Sequence, residues 1–150
     1  MFNSIEAIGL IKTKAKLEER GGNVRRVLHS GETEEQAALV SWADKTVING
    51  ILVGKFLIHI PNEGKRGPKA AADAKRLGLR PGVPDLFLAI PSGKYHGLWI
   101  EMKAKTGKVT SRQKEWIERL CEMDYRVEVC YGYDKAYKLI INYLTVMQRK

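Results

Sequence analysis

The sequence predicts an α/β domain with the core order αβββαβ and a further helix at each end. Three observations carry this prediction. An apolar stripe at helical spacing begins at Thr33, three apolar runs punctuated by Pro, Gly and Ser lie between residues 51 and 104, and two helical segments bracket a last strand at residues 125–131. With 150 residues, 44% hydrophobic and 29% charged, the chain suits one compact domain over 1–150 and excludes disordered and fibrous classes.

Residues 4–20, "SIEAIGLIKTKAKLEER", read as a basic helix capped by Ser4 and ended by Gly21 and Gly22; this segment forms an arm, residues 1–30, outside the core. "TEEQAALVSWADKTV" reads as the next helix, with Glu35, Ala38, Leu39 and Trp42 on one face. "ILVGKFLIHI" ends in a strand closed by Pro61. A basic loop and a short alanine-rich helix follow, with Pro68 in its first turn and Gly78 at its end. "DLFLAI", 85–90, is continuously apolar, as a strand covered on both faces should be, and "PSGK" is the turn after it. In "GLWIEMKA" Leu98, Ile100 and Met102 point one way and Trp99, Glu101 and Lys103 the other. Thr110 and Gln113 fit a capping box, opening a helix whose stripe runs through Gln113, Trp116, Ile117, Leu120 and Cys121. "YRVEVCY" is the last strand, and Asp134 can cap the last helix.

A formal net charge of +9 suggests a polyanionic partner, nucleic acid first and an anionic membrane surface second. No apolar run approaches the roughly 20 residues that span a bilayer, and "MFNSIEAIGLIKTKAK" lacks a signal-peptide core, so an intracellular, cytoplasmic protein is expected. Cys121 and Cys130 fit neither zinc nor redox spacing and fall in core elements, which predicts buried free thiols. His29, His59 and His96 are scattered and give no histidine metal site.

The chemistry concentrates in "GVPDLFLAIPSGKYHGLWIEMKAK". Asp85 opens one strand, a turn reverses the chain, and Glu101 and Lys103 leave the next strand on one face, so a hairpin brings all three together. Carboxylates placed there are costly unless paired or bound to a metal. Magnesium suits two of them, since it takes oxygen ligands and keeps several waters. The expected ligands are Asp85 and Glu101, with Lys103 orienting or deprotonating the attacking water or neutralising transition-state charge. An Asp followed by Glu-x-Lys also arises on ordinary amphipathic strands; the hairpin, the inward Gln113 and the basic charge distinguish this case. Glu35 can serve the helix dipole, and its place on the buried stripe makes it a third ligand candidate, with Glu34 the alternative if the register shifts by one.

These residues resemble a known family. "EEQAALVSWA", "PNEGKR", "GLRPGVPDLFL" and "GLWIEMKAKTGKVTSRQKEWIERL" are similar to the VRR-NUC (virus-type replication-repair nuclease) domain of the PD-(D/E)XK nuclease superfamily, over about Thr33 to Tyr133. The resemblance implies a restriction-endonuclease-like core over 33–133 with a mixed sheet flanked by helices. It implies Mg2+- or Mn2+-dependent phosphodiester hydrolysis with site residues Asp85, Glu101 and Lys103, with Glu35 on the first helix and Gln113 supporting metal water or phosphate. Stand-alone members of this size resemble homodimers that resolve four-way DNA junctions, which makes branched DNA the expected substrate. Lys65, Arg66, Lys69, Lys75, Arg76, Arg80, Lys105 and Lys108 are then expected to contact phosphates. The rival expectations are a flap or restriction-type nuclease and a non-catalytic DNA-binding module on the same fold.

Overall fold

The computed structural model describes residues 17–20, 23–26, 31–62, 64 and 66–146. The chain divides into two units, Met1–Ser30 and Gly31–Lys150. In the first, β1 (Leu17–Arg20) pairs antiparallel with β2 (Asn23–Arg26), from Leu17 opposite Arg26 to Arg20 opposite Asn23. This corrects the helix expected over 4–20 for its last four residues; 4–16, with Ser4, lie outside the described residues. Gly-Gly between two four-residue segments is a hairpin signal as well as a helix stop, and here strand pairing prevails.

The second unit opens with α1 (Gly31–Ala43), two residues earlier than its apolar stripe suggested. A small hairpin follows, β3 (Val47–Ile48) and β4 (Ile51–Leu52), turned by Asn49 and Gly50, both at positive φ. Asn-Gly favours this turn because both residues tolerate left-handed backbone. Thus Val47 belongs to a strand and not to the first helix. Next come β5 (Leu57–His59), α2 (Pro68–Arg76), β6 (Leu86–Leu88) and β7 (Leu98–Lys103), then α3 (Ser111–Glu122), β8 (Arg126–Tyr131) and α4 (Tyr133–Thr145).

The central sheet has the order β5-β6-β7-β8, antiparallel except for the parallel β7–β8 pair. A mixed sheet flanked by helices is therefore what the chain forms. One face, carrying Leu86, Leu88, Leu98, Ile100, Met102 and Cys130, packs on Leu39 of α1 and Ile140, Tyr143 and Leu144 of α4. Burying each such Leu or Ile contributes about 1.5–3 kcal/mol, so this layer fixes the register of the sheet. With that face settled, alternation turns Asp85, Glu101 and Lys103 to the opposite face, where α3 begins.

Three local expectations change. Cys130 is buried, but Cys121 is exposed, because the buried stripe of α3 narrows to Gln113 and Leu120. The N-cap of α4 is Gly132, at φ 92°, and Asp134 lies in the first turn, where its charge still suits the helix dipole. The amide of Tyr133 there is satisfied by a side chain from the far end of the sequence, Glu35.

Candidate active site

Asp85 is set by its main chain as well as its side chain. Its carbonyl accepts from Ile60 N at 2.8 Å, with His59 Nδ1 3.1 Å away, and its Oδ2 accepts from Met102 N at 2.8 Å. The approach to it is tight. Trp116 Nε1 donates to Pro81 O at 3.1 Å, and a Cβ on Gly82, whose φ is 91°, would stand 2.8 Å from the Arg112 backbone. Gly82→Ala therefore combines left-handed strain with a backbone clash. We expect a loss of at least about 1–3 kcal/mol of stability, read by thermal melting, with any DNA cleavage falling alongside.

Glu101, 1% exposed, lies at the centre. Its Oε1 accepts from Lys103 Nζ at 2.8 Å and from Gln113 Nε2, while its Oε2 is buried without a hydrogen-bond partner. Burial pushes its pKa up from 4.5 to about 7; the hydrogen bond from Lys103 opposes this, and the charges of Asp85 and Glu32 add to it. Burial works to lower the Lys103 pKa, but its hydrogen bond and charge pairing with Glu101, helped by Glu32 and Asp85, hold it above the ordinary value. Lys103 is thus a fixed cation.

Gln113 has two roles. Its Oε1 accepts from Thr110 N at 2.9 Å and its Nε2 donates to Glu101 Oε1, while Thr110 Oγ1 accepts from Gln113 N at 3.3 Å. The capping box that starts α3 is thereby also the clamp on Glu101. A cleft of about 390 Å³ opens beside these groups, lined by Asn62, Gly82, Asp85, Arg112 and Gln113.

The structure brings together Asp85, Glu101, Lys103 and Gln113, but not Glu35. Glu35 Oε2 accepts from Tyr133 N at 2.5 Å, so its charge serves the N-terminus of α4. The helix acid that bears on Glu101 and Lys103 is Glu32, whose Oε2 accepts from Ala104 N at 3.3 Å. The sequence signal was present in "GETEE", where three acids crowd the helix start; the register chosen among Glu34 and Glu35 stopped one turn short.

Among the expected phosphate contacts, Arg66, Lys69, Lys75, Arg76, Arg80, Lys105 and Lys108 are exposed, and Lys65 lies outside the described residues. Lys75, Arg76 and Arg80 border a shallow hollow of about 610 Å³ that shares Pro81 with the cleft lined by Asp85.

Among the described residues no three His, Cys, Asp or Glu side chains form a metal-binding group. Two carboxylates still fit a magnesium-type ion, which takes its remaining ligands from water and phosphate, and the unpartnered Glu101 Oε2 is a donor atom of the right kind.

The VRR-NUC domain family matches residues 29–134, most of the chain. A solved structure described as a VRR_NUC domain protein is similar at 31% identity and a TM-score of 0.69, covering 80% of this chain and 93% of that one. No curated protein matches the chain. The mixed sheet flanked by helices matches a VRR_NUC-like nuclease fold. The chain belongs to the VRR-NUC family, which implies a nuclease-type function on DNA.

Proposed function

We propose that the chain is a Mg2+- or Mn2+-dependent endonuclease that hydrolyses phosphodiester bonds in branched DNA, acting in the cytoplasm as a homodimer on four-way junctions. The observation that carries this reading is the buried Glu101 Oε2, an acceptor with no hydrogen-bond partner on a carboxyl group that lies beside Asp85 and Lys103. Asp85 and Glu101 would hold the ion, which when bound polarises the phosphoryl group and lowers the pKa of a coordinated water.

Hydrolysis joins the water oxygen to phosphorus and releases the ester oxygen, which takes up a proton. Lys103, held protonated in the metal-free protein, acts as a cation that orients the water or neutralises developing charge. Gln113 keeps Glu101 aimed, and Glu32 adds negative charge that favours a cation at the site. Arg66, Lys69, Lys75, Arg76, Arg80, Lys105 and Lys108 hold phosphates without reading sequence. A two-fold dimer would supply the two sites that paired incisions need.

A panel of linear duplex, flap and four-way junction in magnesium, with a solution mass, tests this. The expected result is a dimeric mass, with junctions cut at least about tenfold faster than linear duplex and no cutting in EDTA. Preference for flaps or linear duplex would replace the junction assignment. Absence of both cleavage and magnesium binding would leave a DNA-binding module.

A further inference from the structure

Six tyrosines occur in the chain, and five have an evident partner. Tyr133 and Tyr137 stack on each other, with Trp42 against Tyr137. Tyr125 packs on Phe87, Trp99 and His96, Tyr95 lies under Lys94, and Tyr143 donates its hydroxyl to Ile90 O. Tyr131 has neither a ring partner nor a hydroxyl hydrogen bond among the described residues, and it is 37% exposed.

Its position is fixed by the parallel β7–β8 register, which sets Tyr131 opposite Lys103 and Cys130 opposite Met102. Cys130 and Met102 are both in the core, so Lys103 and Tyr131 share the other face, that of the site. Tyr131 is also the last residue of its strand, since Gly132 turns the chain away at φ 92°. Tyr131 thus pairs with the site lysine at the end of two parallel strands, and the loop that carries Lys105 and Lys108 begins directly after Lys103.

We propose that Tyr131 is a substrate-contacting residue whose ring stacks on an unpaired nucleobase next to the phosphate bound at Lys103. Bases inside a duplex are already stacked and present no free face, whereas a branch point or single strand does. The ring therefore favours substrates with an unstacked nucleotide at the site. This inference rests on the nuclease reading above and narrows its substrate.

The test measures binding by fluorescence anisotropy of labelled oligothymidylate, four-way junction and linear duplex, with calcium replacing magnesium. Tyr131→Ala should weaken oligothymidylate and junction about tenfold while leaving linear duplex within about twofold. Tyr131→Phe and Tyr131→Trp should bind all three within about twofold of the parent, because each keeps the ring. Unchanged binding by Tyr131→Ala overturns the proposal, as does an equal loss on all three DNAs or a Tyr131→Phe variant as weak as the alanine. A misfolded alanine variant shifts the decision to Tyr131→Phe and Tyr131→Trp, where loss by both overturns it. If the parent protein binds no DNA, the nuclease reading falls first.

Discussion

Lys103→Met should reduce cleavage of branched DNA in magnesium by at least about 100-fold while DNA affinity stays within about threefold. Methionine keeps most of the side-chain volume, which matters because the Lys103 stem lies against the turn at Gly107, where an added Cβ would come within 3.2 Å of Lys103 Cδ. What is lost is the charge 2.8 Å from Glu101 Oε1. The variant leaves Glu101 buried without its cation, so its carboxyl should take up a proton more readily, and circular dichroism must accompany the assay to show an intact fold. Undiminished cleavage by a folded Lys103→Met protein would remove Lys103 from the reaction.

The second large effect is on stability. In the metal-free protein Glu101 has a folded pKa of about 7 against an ordinary 4.5, so between these values the folded state binds a proton that the unfolded state has released. Stability from this group is therefore present at low pH and declines as pH rises through 7, by up to about 3 kcal/mol. Melting temperatures of metal-free protein from pH 5 to pH 8 should show the fall. Glu101→Gln, which cannot titrate, should lose this component of the slope whatever its absolute stability. Magnesium should raise the melting temperature more at pH 8 than at pH 5, since the ionised carboxylate is the form that binds it. A slope identical in parent and Glu101→Gln would show that Glu101 does not set it.

Legibility of this chain from its sequence followed the range of the contacts involved. The strands at 86–88, 98–103 and 126–131 were readable because apolar runs between turn residues depend only on neighbours, and alternation along β7 already separated Met102 from Lys103. The Thr110–Gln113 capping box was readable for the same reason. The hairpin at Asn49–Gly50 carried its own signal, which the helical reading of the preceding residues obscured. The hydrogen bond of Glu35 to Tyr133 N was not readable, because its partner lies 98 residues away and no local pattern reports that distance. Glu32, one turn earlier on the same helix, accepts from Ala104 N, 72 residues away, which again no local pattern reports. The pairing of Tyr131 with Lys103 across the parallel strands is likewise a long-range register that no local pattern encodes.

The amide of Gln113 joins the first turn of α3 to Glu101, so unwinding of that turn takes from the carboxylate one of the two groups that hold it, leaving Lys103 alone. Local opening at Thr110–Gln113 would disarm the site while the sheet beneath remains folded. Inactivation on gentle warming should then precede global melting, and amide exchange at the start of α3 should report the remaining activity.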